Sequence, residues 1–318
     1  MRLASLFVAF LVTATSFSAA AAEPIKELNI SYVKPPFVLQ LLVMKNHKLL
    51  EKEFQADGIK INWHNMGTSP QAARAMSSGS LDIAGNMNTA ALLMLNSEGL
   101  PVRVVTGTAH PTSNFAIVSK PGTELSVKDL KGKQVVGPKG TFLHQLLVAV
   151  LEKEGMRESD VQFINMGIPK ALSTILAIRK EVRRTIDTYC PGGRFYPGIP
   201  NGVCYREWNN SIFMDELHKY GRQFAEEHPD IVKRVDKVYA ESLRWMKDHP
   251  SETAEMGAKE HGISIEDAKT LMERSHYFDK MTTKDLEDLK VNQKFLRDNG
   301  MMRNEVTVEE LVLPVAME

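Results

Sequence analysis

Ser126 to Gly155 reads SVKDLKGKQVVGPKGTFLHQLLVAVLEKEG. Ser126 suits the cap of a short helical turn, VKDLKG. Gln134 to Gly137 is a strand, and His144 to Glu154 an apolar helix. The glycine-rich turn between them, PKGT, carries Lys139, Gly140 and Thr141. A strand that enters a helix through such a turn is one step of an α/β fold. Repeated along a chain, that step builds a mainly parallel sheet covered by helices.

The step recurs on both sides. Upstream, Glu27 to Val33 alternates as a strand and stops at Lys34-Pro35-Pro36, which neither a helix nor a central strand continues through. Phe37 to Phe54 carries Leu41, Leu42, Leu49, Leu50 and Phe54 at helical spacing. Ile59 to Met66 is a second strand, followed by Gly67-Thr68-Ser69-Pro70, where Ser69 suits an N-cap and Pro70 a first helical position. Leu81 to Ala84 leads through Gly85-Asn86-Met87-Asn88 into the helix Thr89 to Glu98, and Val102 to Gly107 is a fourth strand. Phe115 to Ser119 reads as a fifth. Downstream, Val161 to Asn165 and the helix Lys170 to Leu176 repeat the pattern, joined by Met166-Gly167-Ile168-Pro169. From about Gln223 the chain reads as helices over 226–247, 251–260, 265–274 and 283–299. Two α/β units in series predict a two-lobed ligand trap, because ligands sit beyond the carboxyl ends of such strands.

The remaining composition narrows the function. In 318 residues, 39 basic and 39 acidic side chains leave a formal net charge of zero. That balance excludes a nucleic-acid binder, which needs surplus cations to displace counterions. Arg2, the apolar run Leu3 to Val12 and the ending Ala20-Ala21-Ala22 predict a secretory signal peptide over residues 1–22, too short in its apolar part to span a bilayer. The mature protein is expected in the periplasm. Cys190 and Cys204 have no His at ligand spacing, so neither a metal nor a cofactor is expected. Gly-x-Ser-x-Gly, His-Glu-x-x-His and phosphate-loop motifs are absent from the sequence, which favours binding over catalysis.

The segments SYVKPPF, KLLEKEF, GSLDIAGN, the stretch quoted at the outset, FINMGIP, EEHPDIVKRV and WMKDHP resemble substrate-binding proteins of the nitrate/sulfonate/taurine type that serve ABC importers. That group includes binders of thiamine-precursor pyrimidines. The resemblance implies the periplasmic-binding-protein type II fold: residues 23–115 in lobe 1, 116–222 in lobe 2, and 223–318 as helices packing largely on lobe 1. It implies a monomer that closes over a small, often anionic ligand and delivers it to an inner-membrane ABC permease. The alternative is a binder or enzyme for a pyrimidine-type heterocycle on the same scaffold. The expected cleft residues are Lys34, Pro36 and Phe37 after the first strand, Gly67, Thr68 and Ser69, then Asn86, Met87 and Asn88, and Lys139, Gly140, Thr141 and His144. Helix N-termini attract anions through unpaired N–H groups and partial positive charge, with Thr141 an added hydroxyl donor and Asn86 and Asn88 able both to donate and to accept.

Residues 178–220 depart from that pattern. They are rich in Arg, Gly, Pro, Cys and Tyr and show neither a helix nor a strand period. Relatives show a Gly-Lys-x-x-Asp-Gly-Ala turn there. One reading is a shifted reading frame: codons for Arg179 to Arg184 can be chosen so that the next frame gives Gly-Lys-Arg-Tyr-Asp-Gly. The other is a genuine diverged loop closed by a Cys190–Cys204 bridge. Sequencing the DNA over codons 175–225 separates the two.

Overall fold

In the computed structural model, residues 25–32, 38–66, 69–110, 117, 125–167, 210–215, 217–218 and 222–317 are described. The signal peptide, Lys34, Pro36, Phe37, Gly67, Thr68, the Asn86 side chain, Cys190 and Cys204 lie outside them, as do the expected strand at 115–119 apart from Ile117, the helix at 170–176 and all of 178–209.

Strand β1 (Glu27–Tyr32) alternates so that Leu28 and Ile30 are fully buried. It pairs in parallel with β2 (Lys60–Asn65) from Glu27↔Lys60 to Tyr32↔Asn65, and with β3 (Ile83–Asn88) through Ile30↔Ile83. Helix α1 (Leu39–Asn46) and α2 (Leu49–Phe54) follow β1, α3 (Ser69–Ser77) follows β2, α4 (Thr89–Ser97) follows β3, and β4 (Val102–Ala109) comes next. The single helix expected over 37–54 is thus two. Lys48 adopts a left-handed conformation at φ 54°, which breaks the helix and re-aims α2 so that Leu50 and Phe54 reach the core.

With a later strand, β7 (Asn210–Asp215), these form a five-stranded sheet in the order β2-β1-β3-β7-β4. Its fourth member, β7, comes from the stretch read as aperiodic and assigned to the second lobe. It lies in the large sheet instead, antiparallel to both β3 and β4. Six residues beside an irregular stretch are too few to show a period. Their place is set by two neighbours with backbone groups to satisfy.

Sheet periodicity divides the core. Ile83 and Val105 face one side, packed with Leu28, Ile30, Phe54 and the long helix α6 (Pro229–Asp248) through Val232, Val235 and Tyr239. Ala84 and Val104 face the other, packed with Leu92 and Leu93 of α4 and with Leu289 and Leu296 of a C-terminal helix. Each fully buried Leu or Phe here is worth roughly 2 kcal/mol of transfer free energy. Beyond α6, α7 (Pro250–His261) and α8 (Ile265–Ser275) seat Ala254, Ala258 and Ala268 against Leu39 and Val43 of α1. Helix α9 (Thr283–Asp298) opens with a Thr282–Asp285 capping box and covers α4. Among the described residues, no helix is long and apolar enough to cross a membrane.

Gly85 shows how tightly β1 and β3 approach. A Cβ there would sit 2.1 Å from the Ser31 carbonyl oxygen, while the Gly85 N–H donates to Ser31 Oγ at 3.2 Å. Because the clash is with backbone, no rotamer relieves it. Gly85→Ala is expected to cost about 3 kcal/mol, read as a lower urea midpoint at unchanged slope.

The second, smaller unit has its own core. Strands β5 (Gln134–Gly137) and β6 (Gln162–Asn165) pair in parallel over four residues, and α5 (Phe142–Lys153) covers them. Leu147, Leu151, Met156 and Val161 pack there with Val127, Leu130, Val135 and Phe163.

Candidate functional site

Three helices begin on the faces where the two units meet. Helix α4 starts at Asn88, whose Oδ1 accepts the Ala91 N–H at 2.9 Å as an N-cap. The same amide donates from Nδ2 to Ser69 Oγ at 3.1 Å, at the first residue of α3. Thr89, the first residue of α4, accepts at Oγ1 from Asn292 Nδ2 on α9 at 3.0 Å. Asn292 Oδ1 in turn accepts from Gln145 Nε2, on the second turn of α5. Ser69, Asn88, Thr89, Asn292 and Gln145 thus form one polar chain that joins the starts of α3, α4 and α5 and crosses from the large unit to the small one. Thr89 is 5 % exposed and Gln145 3 %.

These three helices have no acidic residue in their first turns. Helix α1 also lacks one, whereas the C-terminal helices have them: Asp230 in α6, Glu252 in α7, Glu266 and Asp267 in α8, Asp285 in α9. A carboxylate in the first turn offsets the helix dipole. Where three starts converge without one, the partial positive charge and unpaired N–H groups remain for an outside anion.

On α5 the structure revises several expected roles. The Thr141 hydroxyl donates to the Pro138 carbonyl at 2.8 Å, so its hydrogen is used within its own turn. Thr141 stands at the N-cap but makes no side-chain cap bond, which leaves the first-turn N–H groups of α5 without a side-chain partner among the described residues. His144 is buried, with Nδ1 hydrogen-bonded and Nε2 at ion-pair distance from a carboxylate. Nδ1 accepts the Gly140 N–H at 3.5 Å, and Nε2 lies 3.0 Å from the Glu158 carboxylate. Its ring stacks on Phe163 with centroids 4.7 Å apart. Burial pulls the His144 pKa below the ordinary imidazole value, against the opposing pull of Glu158. His144 therefore packs within the small unit, its ring held between Gly140, Glu158 and Phe163. Gly140 holds φ 72° with open space where a side chain would stand. Lys139 is exposed; its N–H donates to Asn165 Oδ1 at 2.9 Å and its Nζ lies 4.0 Å from Glu158 Oε1, so its charge is partly shared.

Met87 is fully buried in the core under α4 and has no access to the gap, because β3 carries its side chain to the inner face. The Asn88 amide is committed at both ends to structural bonds, one Nδ2 hydrogen to Ser69 and Oδ1 to the Ala91 N–H, with a second Nδ2 hydrogen beyond these two. Sequence reasoning missed Thr89, Gln145 and Asn292. The first stands beside the expected Asn88 and the second beside the expected His144. Asn292 lies 147 residues from Gln145 and only the fold brings it there. Among the described residues, no cluster of His, Cys, Asp and Glu could hold a metal ion.

Residues 53–189 match the family model described as "NMT1/THI5 like". A protein of Escherichia coli (strain K12), named provisionally for binding aliphatic sulfonates, is 28% identical over 261 residues, covering 81% of this chain and 79% of that protein. The taurine-binding periplasmic protein of the same strain is 24% identical over 192 residues, covering 57% of this chain and 55% of its own. Among solved structures, the alkanesulfonate-binding protein SsuA from Xanthomonas axonopodis pv. citri, bound to MOPS, superposes with a TM-score of 0.75 at 19% identity. That match covers 92% of this chain and 99% of the other and establishes the fold. The chain therefore has the periplasmic-binding-protein fold, matches the NMT1/THI5-like family model over residues 53–189, and is similar in sequence to periplasmic proteins named for binding aliphatic sulfonates and taurine.

Proposed function

We propose that this protein is an extracytoplasmic solute-binding protein that captures a small organic anion of the sulfonate class and delivers it to an ABC permease. The observation that carries the reading is the convergence of three acid-free helix starts on one polar chain between two separately packed units. A sulfonate offers three acceptor oxygens and almost no donor capacity, which suits unpaired N–H groups and hydroxyls. The relatives' names point to the same chemistry, and those relatives are binding proteins. In this reading the anion is held by backbone N–H groups at Ser69, Thr89 and the first turn of α5 after Thr141, with Lys139 adding charge at the rim. Lys34, Pro36, Phe37, Gly67, Thr68 and Asn86 supply the remaining wall. The units close over the ligand by hinge motion. Residues 1–22 act as the export signal, residues 23–115 and 116–222 are the two lobes, with β7 returning to the first, and the protein works as a monomer.

Thermal unfolding of the mature protein in the presence of ethanesulfonate, taurine, nitrate or a pyrimidine tests this. A ligand at 100 times its dissociation constant adds about 2.7 kcal/mol to stability, several degrees in Tm for a protein of this size. The expected result is a dose-dependent rise with a sulfonate. A rise with the pyrimidine alone would replace the anion reading with the heterocycle one.

A further inference from the structure

The half-buried amide of Asn292 does more than cap a surface, since each of its ends touches a different unit. We propose that Asn292 is a positioning residue of the binding site: it orients the Thr89 hydroxyl as a donor toward the ligand and, through Gln145, holds the small unit closed against the large one.

Two observations carry this. The first is directional. Asn292 donates to Thr89 Oγ1 at 3.0 Å, which occupies one of the hydroxyl's lone pairs and turns its hydrogen to another acceptor. No described residue accepts that hydrogen, in contrast to Thr141, whose hydrogen is taken by Pro138. Thr89 thus stands at the acid-free start of α4 with a hydrogen to give. The second is topological. The carbonyl of the same Asn292 amide accepts from Gln145 Nε2, and Gln145 belongs to α5, whose core side chains Leu147 and Leu151 pack only within the small unit. Gln145 Oε1 is buried without a partner. An amide buried with one half unsatisfied is held in place for the other half, because an unsatisfied acceptor costs stability. The bond to Asn292 is what Gln145 is there to make. Asn292 itself sits on α9, which packs on α4 through Leu289 and Leu296, so it moves with the large unit. When the units part, the Gln145–Asn292 bond breaks and the Asn292–Thr89 bond stays.

The proposal rests on the binding function proposed above but separates from it in test. In wild type, Asn292→Ala, Gln145→Ala and the double variant, ethanesulfonate affinity is measured by calorimetry and its release by stopped flow. Asn292→Ala should weaken binding about tenfold, through faster release rather than slower capture, because the bridge forms only after entry. Asn292→Gln, which keeps both amide ends, should recover part of the loss. The two single losses should fail to add in the double variant, since both remove one bond. Wild-type affinity and release in Asn292→Ala, or strict additivity, overturns the proposal. Should wild type bind none of the anions, the function reading fails while the bridge is still decided in the free protein. Hydrogen exchange should then rise together in the peptides covering 88–93 and 141–149 of Asn292→Ala, and unchanged exchange in either overturns it.

Discussion

Thr89→Asp is expected to raise the dissociation constant of a sulfonate by at least about 100-fold while leaving the fold as stable as before. The substitution puts a fixed negative charge at the start of α4, within the polar chain. Two unit charges about 4 Å apart in partly buried surroundings repel by roughly 4 kcal/mol, enough for a loss of two to three powers of ten. The free protein should not suffer. A carboxylate in the first turn is favourable to the helix dipole by about 0.3 to 1 kcal/mol, and Asn292 Nδ2 still finds an acceptor. Thr89→Asn, of the same size without the charge, should lose about tenfold or less. Calorimetry at low and high salt reads the difference. If the Asp variant binds within threefold of wild type, the anion does not sit at the start of α4.

The sequence made the scaffold legible where burial follows a simple period. Leu28 and Ile30 alternate along β1 and are buried as expected, and α6 to α9 begin at prolines or capping residues within a few positions of where the pattern places them. The loops at the carboxyl edges of the strands were legible for the same reason, since a strand that ends in Gly or Asn before a helix marks such an edge. Individual side chains were not. Asn88 offers two donors and an acceptor in any sequence reading, yet the fold spends one donor on Ser69 and the acceptor on Ala91. His144 sits beside the turn, but Glu158 and Phe163 claim its ring from a later loop. The strand β7 was hidden because its partners lie more than a hundred residues away on both sides. One signal was present and informative. The first turns Ser69-Pro70-Gln71, Thr89-Ala90-Ala91 and Phe142-Leu143-His144 have no acid where α6 to α9 do, a contrast the sequence already carries and one that α1 shares.

Lys280→Met is expected to destabilise the protein by about 3 to 5 kcal/mol at pH 7, although Lys280 lies outside the site. Its ammonium donates to Asp236 Oδ2 and to the Val315 carbonyl, both at 2.6 Å, and so fastens the C-terminal segment to α6. The same segment runs along β4, with the Leu313 N–H donating to the Val104 carbonyl at 3.0 Å. Asp236 is buried and its Oδ1 has no partner, so removing the ammonium leaves a carboxylate with nothing to balance it. The pH dependence follows from the direction of the shift. Burial already holds the Asp236 pKa above the ordinary carboxylate value, with Lys280 pulling the other way. Without Lys280 it rises further. A raised folded-state pKa means that the native state favours the protonated acid, so the deficit is present above that pKa and shrinks as pH falls through it. The gap between Lys280→Met and wild type, taken from urea unfolding, should therefore narrow from pH 7 toward pH 4. Asp236→Asn combined with Lys280→Met should recover most of the loss at pH 7, because the uncompensated charge is gone. A gap that stays constant with pH, or a double variant as weak as the single, would show that Lys280 acts through packing of its stem alone.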